Sequence, residues 1–215
     1  MKNLLMKEFR LALHPTNLIF LSLSAMLLIP NYPYLVTFFY TTLGLFFVCL
    51  TGRENRDIEY TMVLPVRKRE IVKARFGFAV LVELAQLVLA AAFMLLRNRL
   101  MPAPNEVGLD ANLAFLGAAL LMCGLYNMLF FSGYYRNPAK VGKAYVLASA
   151  VMMLYIIVVE GLTHIVPFFR DVLDTPDPQF LAVKLIVLAT GAVAFVALTM
   201  VGYGLSAKRF EALDL

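Results

Sequence analysis

Apolar and polar stretches alternate along the chain. Their spacing predicts membrane-spanning helices over about 16–29, 34–50, 71–96, 112–135, 144–166 and 180–205. The first stretch is short: about 14 residues at about 1.5 Å each reach roughly 21 Å, against a hydrocarbon core of about 30 Å. Between the stretches lie turn formers: Pro30-Asn31-Tyr32-Pro33, then Pro102, Pro104, Asn105 and Gly108, then Arg136 to Lys140. Tyr32, Tyr34 and Tyr40 fall where aromatic rings meet head groups. The segment 160–179 stays open, because Gly161, Pro167, Pro176 and Pro178 interrupt it while 162–169 is apolar.

Residues 1–14 are too charged to span but carry a helical period. At 100° per residue Leu5, Met6, Phe9, Ala12 and Leu13 share one arc, and Asn3, Lys7, Arg10 and His14 the opposite one. That pattern predicts an amphipathic helix lying in the interface, its basic side facing anionic lipid heads. Lys2, Leu4 and Leu11 fit it less well. Pro15 stands where a proline opens a helix.

Composition turns this pattern into a class. Of the 215 residues 61% are hydrophobic and 15% charged, with mean hydropathy +0.79. Soluble domains run nearer about 45–50% and about 25%. The expected fold is all-α, one polytopic membrane domain of six spans, with no sequence left for a soluble domain. A net charge of +5 suggests nucleic acid until its distribution is followed. With the amino terminus inside, fifteen of the 19 basic residues fall on inner segments and only Arg97, Arg99, Arg170 and Lys184 outside, Lys184 snorkelling from the mouth of the last span. This places both termini in the cytoplasm and removes the nucleic-acid reading. Cys49 and Cys123 sit in apolar runs and act as small hydrophobes, with no disulfide or metal site.

The longest polar stretch, 51–76, reads as a cytoplasmic docking element. Thr51 and Glu54 have capping-box spacing, which predicts a helix start there. Arg53 and Asp57, one turn apart, are placed to pair. Ile58 and Met62, with Tyr60 and Val63, supply apolar contact surface until Pro65 ends the helix, and Arg67-Lys68-Arg69 restarts it into the third span. The plainer alternative is a solvated loop whose charges fix topology and meet lipid.

The run ENRDIEYTMVLPVRKREIVKARF, with the opening MKNLLMKEFRLALHPTN and the NYPY turn, resembles the small six-span permeases of type-two ABC transporters, in particular those associated with export of antimicrobial and cytolytic peptides in Gram-positive bacteria. The resemblance implies that residues 51–70 hold a coupling helix, at Ile58 to Leu64, seated in a groove of a separate ATPase subunit. Glu54, Asp57, Ile58, Glu59, Tyr60, Met62 and Leu64 would then meet the ATPase, with Arg67, Lys68 and Arg69 beside them. It also implies a second permease copy or a related one, Mg-ATP held by the partner rather than this chain, a bacterial plasma membrane, and short re-entrant helices before the last span.

Motifs for chemistry within the chain are missing: no G-x-x-x-x-G-K-[ST], no H-E-x-x-H, no C-x-x-C and no G-x-S-x-G. Glu83 falls well inside the third span with Gln86 on its face. A charge there costs about 2.5–3.5 kcal/mol, so it belongs against the bundle or a water-filled path. Glu83, Gln86 and Glu160 are therefore candidate wall residues of a translocation path, or structural hydrogen-bonding groups. Glu160 and His164, one turn apart if the helix persists, keep a second class open: an intramembrane enzyme acting on a lipid, needing Glu83, Glu160 and His164 to converge. A scaffold or immunity protein without a path is the third.

Overall fold

The computed structural model describes residues 2–12, 15–101 and 103–213, and the described residues are helical with connecting turns and no strand. In chain order the helices are α1 (Lys2–Lys7, continued by a π turn Glu8–Ala12), α2 (Pro15–Ser22, tightening to a 3₁₀ segment Leu23–Leu28) and α3 (Val36–Glu54). Then come α4 (Asp57–Met62), α5 (Lys68–Leu100), α6 (Leu113–Tyr126, running through a π turn Asn127–Phe131) and α7 (Ser132–Tyr134). The chain finishes with α8 (Val141–Ile165) and α9 (Leu181–Glu211). Five of these are long and apolar enough to cross a membrane by length and composition, and six if the pair Asn3–Arg10 and Pro15–Leu28, bent by 78°, counts as one span. The protein is an all-α polytopic membrane protein.

The long spans follow the hydropathy pattern, with ends set by local chemistry. Asn112 caps α6 by accepting the Phe115 N–H at 3.1 Å, as a short polar side chain at that position does. Pro15 is the first residue of α2. Asn31 adopts a left-handed conformation (φ 52°), which asparagine tolerates, and its Oδ1 accepts the Glu106 N–H, so the NYPY turn is pinned to the 105–112 loop.

Packing is closest between α6 and α9. A Cβ on Gly117 would lie 2.6 Å from the Val187 carbonyl oxygen, and Gly191 faces the Gly117 carbonyl from the other side. Small residues let two backbones approach in a medium where apolar burial between helices is not driven by water. One core runs through the bundle, with Phe38, Phe78, Phe115, Tyr126, Phe130 and Phe210 fully buried, and both cysteines are free and buried within it.

Four expectations change. No helix begins at Thr51: α3 runs unbroken to Glu54, and the corner that starts α4 is Arg56 in a left-handed conformation, φ 53°. Arg53 and Asp57 lie on opposite sides of that break and do not pair with each other. Glu160 to Ile165 continue α8 as regular helix, so the segment before the last span reduces to a short π turn at Phe169–Leu173 rather than re-entrant helices. Finally, the opening segment buries a different face from the one expected. Leu4 and Glu8, one turn apart, are the buried side, and from Glu8 onward the helix widens to a π turn, while Met6 and Phe9 are left about 40% exposed. The placements of Leu13, His14 and Pro102, and the side chain of Ala12, lie outside the described residues.

Candidate functional site

At the end of the bundle that carries both termini, a charge cluster ties three segments together. Arg75, on the first turns of α5, is 4% exposed; its Nε lies 2.8 Å from Glu8 Oε2 and its Nη2 donates to Asp57 Oδ2 at 2.7 Å. Lys7 Nζ donates to the other Asp57 oxygen at 2.7 Å and to the Thr61 hydroxyl at 2.8 Å. Thr61 in turn donates to the Asp57 carbonyl within α4. Two cations and two carboxylates, mostly out of water, hold only if they stay paired. The cluster therefore clamps α4 to both α1 and α5.

With Asp57 facing inward, the rest of α4 has a fixed orientation. Ile58 and Met62, one turn apart on the same side, pack against the core and are only partly exposed. The outward surface is Tyr60 (74% exposed), Val63 (84%) and Leu64 (52%), with Glu54, Glu59 and Arg67 exposed beside it. Of the apolar residues expected to form a contact surface, Tyr60, Val63 and Leu64 are thus the exposed ones, and Ile58 and Met62 turn toward the core. Lys68 and Arg69 are engaged within the chain: Lys68 Nζ donates to the Leu213 carbonyl, and Arg69 Nε to Glu211 Oε1 at 2.7 Å. These two bonds hold the end of α9 beside the loop. Arg53 reaches the Ala139 carbonyl at 3.3 Å and Glu54 at 3.6 Å.

Deeper in the bundle Glu83 and Gln86 are buried, at 2% and 0% exposure, against α6 and α9. Asn127 Nδ2 donates to Glu83 Oε2 at 2.8 Å and to the Thr199 hydroxyl at 3.1 Å. Glu83 Oε1, Asn127 Oδ1 and both amide atoms of Gln86 have no hydrogen-bond partner among the described residues. A polar group buried without a partner costs about 1–3 kcal/mol, so this patch is the least satisfied part of the interior.

Glu160 and His164 stand elsewhere. Glu160 Oε2 accepts the Leu109 N–H at 2.6 Å, and His164 Nε2 is 3.1 Å from the Val107 carbonyl, so both grip the loop that joins α5 to α6. Gly108 leaves room for the Glu160 carboxyl, since a Cβ there would lie 2.6 Å from its carboxyl carbon and displace it from the Leu109 N–H. Asn127 stands at the far end of α6 from Asn112, about 22 Å away at about 1.5 Å per residue. Glu83 therefore does not converge with Glu160 and His164, and the arrangement an intramembrane enzyme would need is not formed.

The loop end also recruits residues that sequence patterning did not single out. Arg97 Nε donates to the Tyr34 hydroxyl at 2.8 Å, and its Nη2 pairs with Asp110 at 3.3 Å, so Tyr34 is buried rather than set among head groups. Asp174 accepts the Asp110 N–H at 2.6 Å, and Asp177 accepts the Leu113 N–H at 3.1 Å. Lys184 is fully buried beside Asp177 and the Thr175 carbonyl, and so does not snorkel. Burial raises the Asp174 carboxyl to about 7, with Asp110 and Glu160 adding to the rise and the Asp110 N–H and His164 opposing it.

A family described as "ABC-2 family transporter protein" matches residues 3–211, almost the whole chain. The chain belongs to this family. It is the membrane-spanning permease component of an ABC transporter. No curated protein and no solved structure matches the permease closely enough to count as a relative. Within the family frame, the exposed face of α4 and the clamp behind it are the candidate site.

Proposed function

We propose that this permease works in an ATP-driven exporter of amphipathic or antimicrobial peptides, and that α4 is the coupling helix on which a separate ABC-type ATPase docks. The observation that carries this reading is the division of labour in α4. Asp57 and Thr61 bind it to α1 and α5, while Tyr60, Val63 and Leu64 project outward with no side-chain partner among the described residues. A surface that only solvated a loop would not hold three large apolar side chains outward on a rigid mount. Movement of the ATPase then reaches α5 through the Asp57–Arg75 ion pair rather than through a loose tether.

The permease pairs with a second copy or a related one, in a bacterial plasma membrane, with both termini cytoplasmic. The ATPase binds Mg-ATP, and closure of its two halves pulls α4 and with it α5. Glu83, Gln86 and Asn127, incompletely satisfied in the closed bundle, become wall residues of the path together with Thr199 when α5 moves against α6 and α9. Their carboxylate and amides suit cationic groups of a peptide. Glu160 instead clamps the far loop.

The test is reconstitution of the permease with its ATPase in proteoliposomes, reading ATP hydrolysis while cationic amphipathic peptides are added. Peptide-stimulated hydrolysis that falls several-fold in Glu83→Gln supports the reading. Hydrolysis indifferent to every such peptide, with a bound and active ATPase, would remove the peptide substrate and leave the permease assignment standing.

A further inference from the structure

We propose that Arg136, Lys140 and Lys143 form a binding site for the phosphate of an anionic phospholipid, at the membrane surface on the end that carries both termini. The three side chains border a cavity of about 360 Å³ between α7 and the start of α8, floored where Gly133 approaches Ala144. All three are exposed, and none has an ion-pair or side-chain hydrogen-bond partner among the described residues. The neighbouring carboxylates are already paired, Glu59 with Arg56 at 3.9 Å and Glu54 with Arg53.

The placement is electrostatically unusual. The amino end of a helix carries positive partial charge and favours acidic side chains in its first turn. Here α8, 25 residues long, has no acidic residue in its first turn and three cations around it. Arg209 adds a fourth nearby, donating to the Ser132 carbonyl at 2.6 Å. This concentration of positive charge is self-repelling until an anion enters.

Its surroundings select a lipid over a soluble anion. The far wall of the cavity is Leu147, 64% exposed and one turn deeper along α8, beside Val146 at 67%. Those side chains belong to the apolar outer face of a candidate span. A phosphate among the cations would therefore have its acyl chains directed along Leu147. Anionic head groups gain about 1 kcal/mol per basic residue at a membrane surface, so three cations correspond to roughly a hundredfold in affinity. The site depends on α8 being a membrane span and not on ATPase docking, so either proposal can fail alone.

The experiment uses the purified full-length chain in neutral detergent, with thermal melting followed as phosphatidylglycerol or phosphatidylcholine is titrated in. Phosphatidylglycerol should raise the melting temperature saturably and phosphatidylcholine should not. The Arg136→Gln/Lys140→Gln/Lys143→Gln variant should need on the order of a hundredfold more phosphatidylglycerol for the same shift. A Lys73→Gln/Lys208→Gln variant, which removes exposed cations elsewhere at the same end, should respond like the wild type. Equal loss in both variants, or an undiminished response in the triple variant, would overturn the site. Full stabilisation by glycerol phosphate or inorganic phosphate alone would overturn the lipid as its occupant. Loss of ATPase binding in the triple variant, with its lipid response intact, would assign the cations to the ATPase instead.

Discussion

The two polar ends of this permease are built from the same materials to different purposes. At the loop end, Arg97–Asp110, Lys184–Asp177 and the Glu160–Leu109 bond all lie inside one closed cap that joins the 105–112 loop to the turn before α9. At the terminal end, the Arg75–Glu8 pair is just as buried and the Asp57–Lys7 pair partly so, yet they support a helix whose other side is bare. The first arrangement ties loops to one another and the second mounts a short helix. What separates them is how the exposed apolar side chains are held: Tyr60, Val63 and Leu64 lie together on and just after α4, whereas Val107, Ile165, Phe168 and Phe180 are exposed on separate segments of the loop end.

The sharpest way to break the contrast is to remove Arg75. Arg75→Met removes the closer of the two cations beside buried Glu8, leaving only Lys7 at 3.4 Å, and losing one member of a buried pair costs about 3–5 kcal/mol. The purified variant should show a large fall in melting temperature, and Glu8→Gln/Arg75→Met should recover much of it. A single variant that melts like the wild type would mean that the clamp contributes nothing.

At the other end Gly108→Ala forces a methyl group into the Glu160 carboxyl group, an overpacking cost of about 1–3 kcal/mol. Hydrogen exchange should quicken at the Leu109 amide while ATPase binding is unchanged. Exchange that quickened equally around α4 would show that the two ends are not separate.

Smaller still is the effect of pH on the cap. Asp174 holds its proton to about 7 in the folded cap, against an ordinary value of 3.8. Between about pH 4 and about pH 7 the unfolded chain has given up a proton that the folded chain still keeps, so stability falls as pH rises and levels off above. Asp110, Glu160, His164 and the nearby Arg97 face this group, and Asp174→Asn should flatten the slope of melting temperature against pH. An unchanged slope in that variant would place the titration elsewhere.

The spans were legible in the sequence because hydrophobic length alone specifies a crossing helix, and Glu83 with Gln86 could be placed inside the bundle from the cost of exposing them to lipid. The orientation of α4 was not legible. A six-residue helix shows too little period to reveal its buried side, and the partners that decide it, Lys7 and Arg75, are 50 and 18 residues away. Glu8 passed unnoticed, although its spacing of four from Leu4 put both on one face. The capping-box spacing at Thr51 misled because a span long enough to emerge from the membrane does not stop where a start signal happens to fall. Arg75 carried a usable signal in its place between Ala74 and Phe76, at the edge of an apolar run.

The mounted surface itself is tested by Tyr60→Ser/Val63→Ser/Leu64→Ser. All three side chains point outward, so chain stability should change by only about 0.5 kcal/mol per site. The decisive measurement is the amount of ABC-type ATPase, identified by mass spectrometry, that co-purifies with the tagged permease from its own membranes. The ATPase should accompany the wild-type chain and be reduced at least tenfold with the triple variant at an unchanged melting temperature. Recovery of the ATPase at the wild-type level with that variant would contradict α4 as the docking element.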